Sequence, residues 1–186
     1  MAEVDKKAQV QEFFGANASA YTTSTVHASG PSLERLVSEV APKGHELVLD
    51  IATGTGHNAL SFAPHVHQVV GLDLTAPMLA EACHLASTRA ITNVRFFQGD
   101  SEHLPFRNGS FDVVTCRVAP HHFPDVASAI REMARVCRPG GCVAIVDNVT
   151  PEDQEACAYI NAWEILRDPS HHWAYPLSEW HQFFAQ

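Results

Sequence analysis

Long apolar runs, clusters of positive charge and paired cysteines are all missing from this chain of 186 residues. No window approaches the ~18 consecutive apolar residues of a membrane span, and residues 1–11 are charged where a secretory leader would be apolar. A soluble protein is therefore expected. Twelve Lys and Arg stand against 21 Asp and Glu, a formal net charge of −9, and no basic run interrupts the acidity. That argues against a phosphate-tracking surface, so small molecules rather than nucleic acids are the expected partners. The cysteines Cys83, Cys116, Cys137, Cys142 and Cys157 are odd in number and form no C-x-x-C pair. Several lie in apolar runs, where cysteine behaves as a small hydrophobe, and the set suggests a reducing cytoplasm. The pairs His171-His172 and His65-x-His67 lack a carboxylate or cysteine complement at ligand spacing, so no metal site is expected.

What the chain does contain is 46% hydrophobic residues, enough for one substantial core. The expected organisation is a helical arm and loop over residues 1–30, an α/β core over 31–150, and a helical segment over 151–186. In the arm, residues 4–20 have helical composition and the polar residues 21–25 read as a loop; Phe13, Phe14 and Tyr21 are expected to pack on the core. Five apolar runs read as strands: Leu47–Ile51, Gln68–Asp73, Val94–Gln98, 111–116 and 142–147. Helices are predicted between them, including Val126–Val136, and beyond them over 151–167 and 177–185. Ala158, Ile160, Ile165 and Leu166 are the buried candidates of the penultimate helix. Asp112 reads as a structural polar residue at a strand start, and Arg138-Pro139-Gly140-Gly141 as a sharp turn without chemistry.

The first strand ends in Asp50 and runs through Ala52 and Thr53 into Gly54-Thr55-Gly56-His57-Asn58-Ala59. Gly54 and Gly56 leave no Cβ between main chain and ligand, so a small molecule can lie against the turn. The same residues satisfy the dinucleotide pattern G-x-G-x-x-G/A, with Asp73 at about the ~20-residue distance of a ribose-binding acid. A nicotinamide oxidoreductase is therefore one reading. Asp50 opposes it, because a carboxylate just before the turn repels a pyrophosphate but attracts a sulfonium or ammonium, which favours S-adenosylmethionine (SAM).

The acid and G-x-G turn resemble the first motif of class I SAM-dependent methyltransferases, with Ala52 where many members carry another glycine. Gly99-Asp100-Ser101-Glu102-His103-Leu104-Pro105-Phe106 is similar to the family's Gly-Asp-(Ala/Ser)-Glu-x-Leu-Pro-Phe run, which dehydrogenases do not use. The closest likeness is to small-molecule enzymes akin to those of ubiquinone and menaquinone biosynthesis. The resemblance implies a three-layer, Rossmann-like, doubly wound and mostly parallel α/β sheet. Members usually add two strands after the fifth; their lack here suggests a truncated or cleaved form and a bare apolar edge available for homodimer pairing.

The expected cofactor residues are Asp50, Ala52, Thr53, Gly54 and Gly56 at the first turn, Asp73 for the ribose hydroxyls, and Leu74 and Met78 as apolar cover. Asp100 and Ser101 are expected to address the adenine, and Arg117 to orient the cofactor or an acidic acceptor, or else to form a structural ion pair. The resemblance places an arm over the cofactor and acceptor, which makes Tyr21 and His27 candidate substrate residues. His121 and His122 are the general-base candidates, since a neutral imidazole exists at working pH. The Asn/Asp-Pro-Pro-Tyr/Phe signature of many nucleobase and glutamine methyltransferases is absent. The expected reaction is in-line methyl transfer from SAM to a small-molecule acceptor, leaving S-adenosylhomocysteine; a SAM-binding protein without catalysis is the remaining alternative.

Overall fold

In a computed structural model, the protein is described over residues 5–185, apart from the side chains of Val26 and His27. Five strands, β1 (Leu47–Ile51), β2 (Gln68–Asp73), β3 (Val94–Gln98), β4 (Phe111–Arg117) and β5 (Cys137–Val146), form one sheet in the order β3-β2-β1-β4-β5. All four pairings are parallel. The central strands are apolar almost throughout because both faces are covered.

Alternation along these strands sorts their side chains into two cores. Val48, Val69 and Val113 face α3 (Pro31–Val40), α4 (His57–Phe62) and α5 (Ala76–Thr88), with Leu36, Phe62 and Ala86 packed against them. Leu49, Ile51, Leu72, Val114 and Cys116 face the other way, onto Ala129, Met133 and Val136 of α6 (Val126–Val136). Helices on both faces make three layers. Because β2 lies on one side of β1 and β4 on the other, the winding reverses at β1, and the crevice outside those strand tips is where ligands bind in such sheets.

The arm departs from the sequence expectation. Residues 21–25 are not a loop: α1 (Lys6–Thr23) runs through most of them, and α2 (Thr25–Ser29) follows after Ser24. The extension has tertiary partners, since Tyr21 packs on Phe14 with ring centroids 5.3 Å apart and Thr22 Oγ1 donates to Glu81 of α5 at 3.0 Å. Gly15 lies inside α1 against α5, where a Cβ would make ordinary contact with Pro77 Cγ at 3.7 Å.

The turn expected before β5 is built into that strand as a bulge. Phe111 pairs with Cys137 and Val113 with Cys142, so residues 138–141 stand opposite Asp112 alone, with Gly140 at φ +77°. Asp112 ties the start of β4 to its neighbours, accepting from Leu47 N–H at 2.6 Å and pairing with Arg138 at 2.8 Å.

The helix α7 (Gln154–Arg167) begins three residues later than expected because Asp153 caps it, accepting from Ala156 N–H at 2.9 Å. Its buried face is Cys157 and Asn161, whereas Ala158 is exposed, Ile160 half-buried, and Ile165 and Leu166 exposed at 41% and 80%. The apolar pattern misled because this helix docks through Asn161, which holds Ala174 by both its N–H and its carbonyl. The last helix, α8 (Leu177–Phe184), packs Trp180 on Val126 and Ile130 of α6.

Candidate functional site

The tips of β1, β2 and β4 and the loop after β3 enclose a cavity of about 400 Å³, closed from above by α1 and from the side by the end of α7. Asp50, Ala52, Thr53, Gly54, Asp73, Leu74, Met78, Asp100, Ser101, Arg117, His121, His122 and Tyr21 all line it. Gly56 does not. It stands behind the wall at φ +84°, where a Cβ would meet Ala82 Cβ and Phe96 Cζ at 3.0 Å, so its lack of a side chain serves the packing of the turn. The side chain of His27 lies outside the described residues.

Asp50 is buried and accepts from Thr53 Oγ1 at 2.6 Å, Asn58 Nδ2 at 2.6 Å and Thr115 Oγ1 at 3.0 Å. Burial pushes its carboxyl above the usual range, and these donors work against that rise. The network binds the turn, α4 and β4 into one body. Between them Ala52 adopts φ +50° and Gly54 φ +55°. A Cβ on Gly54 would meet nothing within 4 Å. The glycine therefore leaves main chain facing the cavity.

Asp73 accepts from Gly54 N–H and Thr75 N–H, each at 2.8 Å and each on a different oxygen, and the Thr75 side chain bonds it as well, which leaves part of the carboxylate's accepting capacity for a ligand. Burial raises its carboxyl too, against the pull of those two N–H groups and the Thr75 side chain. Asp100 is less buried and meets Lys7 of α1 at 2.7 Å, while Lys7 also reaches Glu102 at 2.5 Å. Burial opposes ionisation on both sides of this contact, yet the pairing holds Asp100 below and Lys7 above their ordinary values. Asp100, Glu102 and His103 form the one group with metal-like spacing among the described residues, and its carboxylates hold Lys7.

At the β4 tip, Arg117 donates to Ser32 Oγ from Nε at 3.1 Å and Nη2 at 2.9 Å, and burial lowers its pKa. Val118 follows at φ +52°, a conformation that β-branched residues rarely adopt, and its N–H donates to Val146 O at 2.7 Å. The strain sits on the cavity wall where β4 leaves the sheet.

Three imidazoles gather beyond it. The rings of His121 and His122 are 4.1 Å apart, and His171 lies 5.5 Å from His121. His121 Nδ1 meets Asp147 Oδ1 at 2.5 Å, and His121 N–H donates to Asp147 Oδ2 at 2.8 Å. His122 Nδ1 faces Ser170 O at 3.1 Å and Ser170 Oγ at 3.2 Å, and burial next to His121 drives its pKa down to about 3. His171 Nε2 meets the Asn161 carbonyl at 2.8 Å. Phe14 stands edge-on to His122 at 5.0 Å, beside Tyr21, whose hydroxyl burial raises above its ordinary value.

Residues 49–145 match the methyltransferase domain family over more than half of the chain. The chain belongs to that family. Against the methyltransferase YcgJ of Bacillus subtilis, described as uncharacterized, identity is 42% over 172 residues, 92% of this chain and 68% of YcgJ. The crystal structure of YcgJ superposes with a TM-score of 0.81 at 43% identity, covering 83% of this chain and 66% of that one. The demethylmenaquinone methyltransferase of Thermus thermophilus is 41% identical over 119 residues, 62% of this chain and 52% of the enzyme. The chain thus spans about two thirds of YcgJ and about half of the Thermus enzyme. The Rossmann-like methyltransferase fold agrees with the expected class, its five strands all parallel, and membership favours SAM over the dinucleotide reading of the turn.

At and beside the cavity stand residues that the sequence reading passed over. Asp147 directly follows β5, as Asp50 and Asp73 lie at the tips of β1 and β2, so the rule of acids at strand tips was signal enough to find it. Lys7 carried no such signal, because its partner Asp100 is 93 residues away.

Proposed function

We propose that this methyltransferase-domain protein transfers a methyl group from SAM to a small-molecule acceptor. Acids at three consecutive strand tips, facing one cavity around a glycine turn, carry the proposal. The fit is supported by the Gly54 main chain, which a Cβ would screen from the cavity, and by the accepting capacity that Asp73 retains beside its bonds to Gly54 and Thr75.

In this reading Ala52, Thr53 and Gly54 hold the amino-acid end of the cofactor, and Gly56 keeps their turn in shape. Asp50 acts through its network, orienting Thr53 and adding negative potential near a sulfonium. Asp73 accepts from the ribose hydroxyls, Leu74 and Met78 cover the base, and Asp100 and Ser101 address its edge. Arg117 anchors the wall near the methyl-bearing end. When bound, SAM would supply a sulfonium-activated methyl to an acceptor lone pair in line with the C–S bond, with S-adenosylhomocysteine as the leaving group. Alignment and exclusion of water then make up most of what the protein contributes.

Tyr21, His27, His121 and His122 are assigned to the acceptor side, with residues 1–30 as a cover over the core 31–150 and residues 151–186 closing the far wall. The Thermus relative supports an aromatic, quinone-like acceptor. The net charge of −9 supports a small acceptor over nucleic acid, and five free thiols support a reducing cytoplasm.

Titration calorimetry with S-adenosylhomocysteine and with NADH tests the reading. Binding of the first and not the second is expected, and Asp73→Ala should weaken it by about 10-fold or more, the scale of hydrogen bonds to a charged group. Binding of NADH alone would overturn the proposal.

A further inference from the structure

We propose that Asp147 and His121 form a proton-accepting pair, in which Asp147 positions the ring and His121 Nε2 takes the proton of an ionisable hydroxyl, phenolic or enolic, on the acceptor. The proposal rests on the methyl-transfer reading above and names its substrate class.

Asp147 grips His121 twice, at the backbone N–H and at ring Nδ1, and both side chains are nearly sealed, at 2% and 6% exposure. A carboxylate only accepts, so Nδ1 carries the hydrogen and Nε2 carries the lone pair. Nε2 has no partner among the described residues, and His121 lines the cavity. The backbone is pinned from behind as well: the His121 carbonyl accepts from His172 N–H at 2.8 Å and Trp173 N–H at 3.0 Å. An imidazole held in this way has one tautomer and one direction in which to act.

The neighbouring ring lacks this arrangement. His122 Nδ1 meets a carbonyl and a hydroxyl rather than a carboxylate, and a positive charge there would face His121 and His171. Its pKa of about 3 makes it a poor base at neutral pH.

The choice between the two histidines also speaks to the acceptor. A phenol or enol is a weak nucleophile until its proton leaves, whereas an amine at neutral pH is mostly an ammonium and needs a cation site. In the proposed step the acceptor O–H bond breaks, the proton passes to Nε2, and the electron pair stays on oxygen and its conjugated carbons. The new imidazolium is neutralised by Asp147. Phe14 and Tyr21 supply flat surfaces for an aromatic ring beside the pair.

The test uses the full chain with S-adenosylhomocysteine bound, and long-range proton–nitrogen NMR on the histidine rings. His121 should appear as the Nδ1–H tautomer, and Asp147→Asn should abolish that signature while affinity for S-adenosylhomocysteine stays within about 3-fold. With SAM and a panel of naphthols and cyclic 1,3-diketones, matched against arylalkyl amines, product should form from the hydroxylated panel. His121→Gln should lower kcat about 100-fold or more and Asp147→Asn about 10-fold or more, with KM nearly unchanged, the range of general-base effects. An Nε2–H tautomer in the parent protein, an undiminished rate in His121→Gln, or turnover of the amines alone or of neither panel would overturn the proposal. Failure of the parent protein to bind S-adenosylhomocysteine would instead remove the methyl-transfer reading beneath it.

Discussion

His122 shows at the scale of one residue how burial in this site makes stability depend on pH. Its imidazole is buried among His121, His171 and Asp168, and its pKa falls from 6.5 to about 3. A base whose folded pKa is depressed binds fewer protons in the native state than in the unfolded one. Its contribution to stability is therefore complete above about pH 6.5 and is lost progressively as pH falls towards 3. His171 is shifted in the same direction by burial and adds to the same window. We expect denaturant melts to lose stability between pH 6.5 and 4, by up to about 1.4 kcal/mol per pH unit for each such group. His122→Gln should flatten that slope, and an unchanged slope would show that His122 is not the residue responsible. Ala52 and Val118 show a second cost, since both hold left-handed backbone conformations at the cavity wall. Such strain persists only where the surrounding structure over-determines it, here through the Asp50 network and the Val118–Val146 hydrogen bond.

Among the elements, α1 is the one whose position depends most on a few contacts. Lys7 crosses from its first turn to Asp100 and Glu102, Thr22 near its end bonds Glu81, and Phe14 and Tyr21 line the cavity beside His122. The ion pair is partly exposed, at 29% for Lys7 and 27% for Asp100, so it is worth roughly 1 kcal/mol or less. The sign of its pH dependence follows from both partners. Asp100 is lowered, so its share is lost as pH falls through its folded value; Lys7 is raised, so its share is lost as pH rises beyond its own. Lys7→Met should speed hydrogen exchange across α1 by about 3- to 5-fold at neutral pH, in line with that energy, with the strands unaffected. Equal protection in the variant would mean that α1 is held by its apolar contacts alone.

For the whole molecule, the sheet ends at β5, which pairs with β4 on one side and with no strand on the other among the described residues. Unpaired strand edges offer a row of N–H and C=O groups to another chain. Light scattering should therefore show a mass that rises towards a dimer with concentration, whereas a constant monomer mass up to high concentration would remove that expectation. The core strands themselves were readable beforehand. Leu47–Ile51 and Gln68–Asp73 match their observed bounds because a strand covered on both faces is a nearly continuous apolar run, and the edge strand Val94–Gln98 matches through its β-branched and aromatic residues although most of it is exposed. The arm and α7 were misread for the opposite reason. Thr22 is helical because Glu81 and α5 are beside it, and α7 docks through Asn161 rather than through its apolar residues.

The sequence alone determined the strand tips, the glycine turn and the acids that line the cavity, because each follows from local rules: apolar runs, glycine conformations, and charge at a strand end. It did not determine which histidine faces which carboxylate, nor that Lys7 closes over Asp100. Those pairings join residues 26 and 93 positions apart. Only the tertiary structure brings them together, because contact across such separations depends on how helices and strands pack, and no local pattern records it.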